Sequence, residues 1–433
     1  MDIRSENDKK SGYEVQMEAE ERVIVFAVTT GGVSVEDTEK SLDELEELLE
    51  TAGAATVGRL IQSLDRATSD LYLGSGKVEE LRSMVAMYDA TGVVCDDELS
   101  PAQLMNLQDA LNIKVMDRTM VILDIFAAHA GSYEGKLQVE LAQLRFRATR
   151  LVGMRDSLSR LGGGIGTRGP GEKKLEIDRR VIRDRISKLK ADLRQVEGRR
   201  TEQRKQRNRT GIPVVSIVGY TNAGKSTLLN KLTGAGVLEE DKLFATLDPA
   251  TRNAVLPAGQ QVLFTDTVGF IRKLPHHLVE AFKSTLEEAK YSDVILHVVD
   301  ASDPNWDRNM ETVYATLRQL NVDEEKDHPI ITVFNKIDKL PEGGDISMIK
   351  DLRADRMVYL SAKTDDLLVQ VEEVLREQKT YIRHTFAYQD AGKPGLIRKY
   401  GEVLTEEYLE DGIFVEAYVP KSLIGQLGLD KNL

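Results

Sequence analysis

Eight consecutive residues, Gly219, Tyr220, Thr221, Asn222, Ala223, Gly224, Lys225 and Ser226, follow the spacing G-x-x-x-x-G-K-S. A loop of this kind surrounds a polyphosphate with backbone N–H groups, and the helix behind it aims its N-terminal amides at the anion. The required context is present: the apolar run "VVSIV" precedes the loop and the helix-forming "STLLNKL", which includes Thr227, follows it. Lys225 is then placed to reach the β- and γ-phosphates, and the Ser226 hydroxyl to coordinate Mg²⁺. By itself the loop implies a nucleoside triphosphate and says nothing of the base.

The base is addressed by "NKID", Asn335, Lys336, Ile337 and Asp338, directly after the apolar "IITVF". A carboxylate at Asp338 can accept two hydrogen bonds from guanine, from N1–H and the exocyclic amine. Adenine offers no such pair, and a site built on buried hydrogen bonds rejects partners that lack them. Ser361, Ala362 and Lys363 follow at the end of the next strand run and are expected to complete the base site.

Two further segments lie between these motifs. Asp266, Thr267, Val268 and Gly269 close the apolar "QVLFTD". Asp266 is expected to hold magnesium through water, and the Gly269 N–H to touch the γ-phosphate. Upstream, "FATLDPATR" carries Phe244, Ala245, Thr246, Leu247 and Asp248, with Thr246 the candidate second metal ligand. The expected metal set is Ser226, Thr246 and Asp266; the expected catalytic set is Lys225, Thr246 and Gly269. Release of both segments after loss of the γ-phosphate is the order–disorder switch of such proteins.

After Gly269 comes Phe270, where Ras-type switches carry a glutamine that orients the attacking water. A phenyl ring exchanges no proton. It is read both as an apolar anchor and as a sign that intrinsic hydrolysis is slow and completed by a partner. Arg252 and Arg272 are weighed as internal arginine fingers and read as salt-bridged or solvent-facing. His276 and His277 lack metal-ligand spacing, and Trp306 is read as a surface cap on a loop.

The elements that must position these residues emerge from periodicity. From Ile212 onward, near-continuous apolar runs ("PVVSIVG", "QVLFTD", "DVILHVVDA", "PIITVFNK", "MVYLSA") suit strands of a mostly parallel sheet covered by helices on both faces. This is the α/β pattern of a phosphate-loop GTPase domain, over 209–378. Residues 22–130 repeat strand–helix alternation as a separate N-terminal α/β domain, after a flexible 1–21. Residues 379–433 read as a small C-terminal α+β domain.

Residues 131–208 differ. Leu137, Leu141, Leu144, Ala148 and Leu151 recur at heptad spacing, as do Ile182, Ile186, Leu189, Leu193 and Val196. Between these runs, "LGGGIGTRGPGEKK" has too many glycines for a helix. The geometry expected is an antiparallel helical hairpin with a glycine-rich tip bearing Arg168, Lys173 and Lys174. The chain as a whole carries a net charge of -13, yet residues 145–209 hold 21 Lys and Arg against 8 Asp and Glu. That asymmetry points to a polyanionic partner; the bland readings are a structural strut and a solvated helix face.

The single Cys95 forms no intramolecular disulfide, the polar N-terminus is no signal peptide, and no apolar run approaches the ~20 residues of a membrane span. The reading is cytoplasmic.

Taken together, "GYTNAGKST", "FATLDPATR", "DTVGF", "NKID" and "SAK" resemble the Obg–HflX branch of translation-factor GTPases, and "GGGIGTRGPGE" followed by "LEIDRR" resembles the HflX family. "GEKKLE" departs from that family's more usual Thr-Gln after Gly-Glu. The resemblance implies a monomeric GTPase using GTP and Mg²⁺. It would be partly ribosome-associated, binding the large ribosomal subunit and its RNA through the hairpin tip, and would split stalled or idle ribosomes under stress. It also implies nucleotide binding by the N-terminal region, for which the local hint is Gly74-Ser75-Gly76-Lys77 at a helix start. The alternatives are an ATP-driven RNA-remodelling enzyme and a ribosome assembly chaperone regulated by its GTPase domain.

Overall fold

The computed structural model describes residues 21–161, 170–234, 243–244, 249–275, 278, 288–320, 322, 328–340, 346–360 and 365–429, with backbone alone at 152–161, 170–175, 203–210, 365 and 422. The chain divides into two compact units, the first running to Asp96 with Gln103–Asp117, the second holding Asp97–Ala102 and everything from Arg118.

The first unit is a four-stranded parallel sheet of β1 (Glu21–Thr29), β2 (Ala54–Ser63), β3 (Gly92–Cys95) and β4 (Lys114–Asp117), in the order β2-β1-β3-β4. Helices α1 (Val35–Thr51), α2 (Ser75–Tyr88) and α3 (Pro101–Leu111) connect the strands. Parallel strands need such crossovers, and the unbroken burial of β1 from Val23 shows that its sheet is covered on both faces. Helix α1 begins where the Ser34 hydroxyl accepts from the Asp37 N–H, and it buries Leu42, Leu45, Leu48 and Leu49 as their spacing predicts. The "GSGK" turn is the start of α2, and Lys77 forms an ion pair at 2.7 Å with Glu80 one turn along.

In the second unit, α4 (Arg118–His129) precedes the hairpin of α5 (Tyr133–Leu161) and α6 (Pro170–Thr210). Leu137, Leu141 and Leu144 of α5 pack with Leu193, Leu189 and Ile186 of α6, which is the expected antiparallel seam. Farther out on the same periodicity, Leu151 and Ile182 line a groove of about 400 Å³ with Arg147, Arg150, Asp178 and Val181. Arg150 lies over the Phe146 ring at 4.1 Å, its stem packed while the guanidinium reaches the groove.

The chain then enters a six-stranded sheet: β5 (Val214–Gly219), β6 (Ala250–Val255), β7 (Gln261–Asp266), β8 (Val294–Asp300), β9 (Ile330–Asn335) and β10 (Arg356–Tyr359). The order is β10-β9-β8-β5-β7-β6, parallel except for β6 against β7. Helix α7 (Lys225–Thr233) follows β5, α8 (Trp306–Gln319) follows β8, and α9 (Asp365–Glu377) follows β10. The fold is therefore the expected α/β phosphate-loop architecture with an N-terminal domain.

The last segment is a three-stranded antiparallel sheet, β11 (Thr380–Phe386), β13 (Gly412–Val419) and β12 (Glu402–Leu409) in that order. Helices α10 (Gly392–Tyr400) and α11 (Lys421–Leu427) cover one face through Ile397, Leu423, Ile424 and Leu427.

Candidate nucleotide site

The candidate site lies at the carboxyl ends of β5, β7, β8 and β9, where loops of an open parallel sheet can converge on a ligand. Strand β5 is buried and stops at Gly219, and α7 starts at Lys225. Two loop residues adopt left-handed backbone, Asn222 at φ 58° and Gly224 at φ 90°. A Cβ at Gly224 would strike the Asn335 side chain, so only glycine lets the loop turn under that strand end.

Lys225 is buried, and its ammonium donates to the Tyr220 carbonyl at 2.6 Å. Burial pushes its pKa down to about 8, with the nearby Asp266 charge opposing and that of Lys336 adding. A lysine so placed gains strongly from an arriving anion. Gly269 brings the Asp266–Phe270 turn against it. A Cβ there would lie 2.9 Å from Thr221 Cγ2 and 3.1 Å from Lys225 Nζ.

The turn is laced to the loop by backbone. The Thr267 N–H and hydroxyl both donate to the Ile217 carbonyl, at 3.2 and 2.8 Å. Phe270 then brackets the loop, its N–H donating to Gly219 O at 3.1 Å and its carbonyl accepting from Thr221 N–H at 2.8 Å. Its ring is 2% exposed, so the anchoring reading holds. The Arg272 N–H donates to the Tyr220 hydroxyl at 2.8 Å, adding a side-chain tie that sequence spacing gave no reason to expect.

Ser226 Oγ donates to Asp266 Oδ2 at 2.7 Å, and Asp266 is fully buried. A hydroxyl and a carboxylate converging in this way form a hard-oxygen pair that suits Mg²⁺, which takes few protein ligands and completes its octahedron with phosphate and water.

On the base side, Asn335 and Lys336 turn back toward the loop. Asn335 Nδ2 donates to Ala223 O at 3.0 Å, and Lys336 Nζ donates to Asn222 O at 2.8 Å. Lys336, left-handed at φ 60°, also pairs with Asp300 Oδ2 at 2.8 Å. Asp338 sits exposed on a short 3-10 turn, Ile337–Lys339. Three of the four motif residues thus shape the loop or the turn, and one carboxylate faces outward. Asp300 was missed by sequence reasoning; its one signal is an acidic residue closing the apolar run "VILHVVD".

Phe244, expected near the nucleotide, is buried against Phe126 of α4, ring centroids 4.7 Å apart. Trp306 is not a surface cap: it is half-buried, edge-on to Phe334 at 5.9 Å, because the end of β9 offers it an aromatic face. Arg252 is exposed, as expected, and donates to the Thr251 carbonyl. Ala245, Thr246, Leu247, Asp248, His276, His277, Ser361, Ala362, Lys363 and Arg168 lie outside the described residues, as do the side chains of Lys173 and Lys174.

Comparison with known proteins agrees with this geometry. Residues 39–127 match the family described as GTP-binding GTPase N-terminal, 129–207 the GTP-binding GTPase Middle Region, and 214–336 the 50S ribosome-binding GTPase family. The chain is 62% identical over 414 residues to GTPase HflX of Lacrimispora saccharolytica, spanning 95% of this chain and 96% of that protein. The chain belongs to the HflX family of GTPases.

Identity to GTPase HflX of Caldanaerobacter subterraneus subsp. tengcongensis is 49%, over 92% of this chain and 91% of that protein. To GTPase HflX of Escherichia coli it is 43%, over 83% of each. Among solved structures, a GTP-binding protein from Sulfolobus solfataricus in complex with GDP is similar at TM-score 0.43 and 24% identity, covering 82% of this chain and 99% of that one. This HflX-family chain is a GTP phosphohydrolase. No helix among its described residues is long and apolar enough to cross a membrane.

Proposed function

We propose that this HflX-family GTPase binds the large ribosomal subunit and uses GTP to dissociate or rescue stalled or idle ribosomes. The observation that carries the reading is the continuity of the basic hairpin with the nucleotide site. Helix α6 ends at Thr210, and β5, which leads into the phosphate loop, begins at Val214. A long cationic lever joined to a phosphate sensor by three residues suits a switch that grips RNA. The family description of the GTPase segment as 50S ribosome-binding supports the same partner.

In this reading the loop Gly219–Ser226 wraps the phosphates, Lys225 meets the β- and γ-oxygens, and Asp338 reads guanine. Ser226, Asp266 and Thr246 hold Mg²⁺, which would neutralise charge on the transferring phosphoryl group. Gly269 offers its N–H to the γ-phosphate. The Phe270 ring supplies no water-orienting group, so turnover is slow alone and is raised when the subunit completes the site, a contribution worth ~10³–10⁵ in other phosphoryl-transfer systems. Arg168, Lys173 and Lys174 at the hairpin tip contact ribosomal RNA.

GTP turnover with and without purified large subunits, together with gradient sedimentation of intact ribosomes, tests the proposal. Strong stimulation and GTP-dependent appearance of free subunits are expected. Equal turnover in both conditions, with intact ribosomes unchanged, overturns it.

A further inference from the structure

One polar group at the nucleotide site is left unpaired by the fold. Thr221, third residue of the phosphate loop, is 6% exposed, and its hydroxyl has no hydrogen-bond partner among the described residues. A buried hydroxyl without a partner costs stability, and such a group in a native protein calls for a reason.

Its surroundings supply one. The Thr221 N–H is committed to the Phe270 carbonyl at 2.8 Å, so the side chain is the only donor this residue can offer a ligand. The same bond holds Thr221 against the Asp266–Phe270 turn. A Cβ built on Gly269 would lie 2.9 Å from Thr221 Cγ2, 3.0 Å from Thr221 Cα and 3.1 Å from Lys225 Nζ. Thr221 and Lys225 thus converge on Gly269, whose N–H is expected at the γ-phosphate. The next side chain of that turn, Phe270, can neither donate nor accept.

We propose that the Thr221 hydroxyl is a catalytic residue that orients the attacking water, in place of the glutamine that Ras-type switches carry after the glycine. A hydroxyl has one hydrogen to donate and lone pairs to accept. It accepts a hydrogen bond from the water while donating its own to a γ-phosphate oxygen. The water oxygen bonds to the γ-phosphorus as the bond to the β–γ bridging oxygen breaks. That electron pair leaves with GDP, the water proton passes to a γ-phosphate oxygen, and the threonine is unchanged. The inference rests on the proposed placement of the γ-phosphate at Lys225 and Gly269.

The test compares full-length wild type, Thr221→Val, Thr221→Ser and Lys225→Met, without ribosomal subunits and with Mg²⁺. Single-turnover GTP hydrolysis, equilibrium binding of GDP and of a non-hydrolysable GTP analogue, and melting temperature are measured. Valine keeps the shape and removes the hydroxyl. Thr221→Val should therefore slow hydrolysis roughly 10- to 100-fold, more than it weakens the analogue, while binding GDP as wild type does and melting no lower. Thr221→Ser should restore most of the rate. Wild-type hydrolysis by Thr221→Val, no restoration by Thr221→Ser, or equal losses in rate and in affinity for both nucleotides overturns the proposal. Analogue binding lost in Lys225→Met keeps the γ-phosphate where it is placed even if Thr221 fails. Unchanged binding by that variant displaces the phosphate and overturns the proposal with it.

Discussion

Ser226 and Asp266, forty positions apart in the chain, meet through a 2.7 Å hydrogen bond from hydroxyl to carboxylate. One lies in the first turn of the helix after the phosphate loop and the other ends β7, so the sheet itself brings the expected metal oxygens together. Asp266→Asn keeps the hydrogen-bond acceptor and removes the charge. It should lower magnesium-dependent GTP turnover by on the order of 100-fold, since charge stabilisation of several kcal/mol is lost. Unchanged turnover at saturating Mg²⁺ would remove Asp266 from the metal set.

Lys225 links nucleotide binding to pH. Without nucleotide its pKa is pushed down to about 8, so it is charged below that pH and increasingly neutral above it. Phosphate favours the charged form, so binding above pH 8 must take up a proton, and affinity falls with rising pH by at most about tenfold per unit. Calorimetry in buffers of different ionisation enthalpy should register proton uptake at pH 9 and little at pH 7. Lys225→Met should abolish the uptake.

His297 lies fully buried in β8, and neither ring nitrogen has a hydrogen-bond partner among the described residues. Its ring stands edge-on to Tyr314 at 5.0 Å, and the Tyr314 hydroxyl donates to Asp351. Burial pushes its pKa down to about 4, opposed by the Asp351 carboxylate and reinforced by Arg353 and Lys225. The unfolded chain binds this proton near pH 6.5 and the folded chain only near 4, so stability falls as pH drops through that window. Between pH 7 and 5 the loss is about 2 kcal/mol. Urea titrations at both pH values measure it, and His297→Leu should flatten the difference.

Phe270→Gln should not create a faster enzyme. The wild-type ring is buried while its backbone serves the loop, so a glutamine there buries an amide and forfeits apolar contact. A stability loss of about 3 kcal/mol with no gain in intrinsic turnover is expected. Faster hydrolysis by this variant would show that the side chain can swing to the phosphate.

Leu189 is fully buried in the hairpin seam. Leu189→Ala should destabilise the pairing of α5 and α6 by about 2–5 kcal/mol. Hydrogen exchange should rise across 133–151 and 176–202 while GDP affinity stays the same. A parallel loss of GDP binding would mean that hairpin and nucleotide site unfold together.

Much of this was readable in the sequence because its chemistry is local. The phosphate loop, "DTVG" and "NKID" each place their groups within a few residues of a strand end, and strand and heptad periodicities reveal which faces are apolar. Nothing in that pattern reveals the groove beside Leu151 and Ile182, which exists only once the two helices are set side by side. Nor do spacings reveal partners across the sheet. Asp300 under Lys336, Phe270 bonded to Gly219 and Thr221 at the start of the loop, and Phe126 behind Phe244 depend on which strand ends and helices become neighbours. Local motifs determine which groups can do chemistry; long-range packing decides which side chains are buried to hold them in place, because burial is a property of the assembled core and not of any one segment.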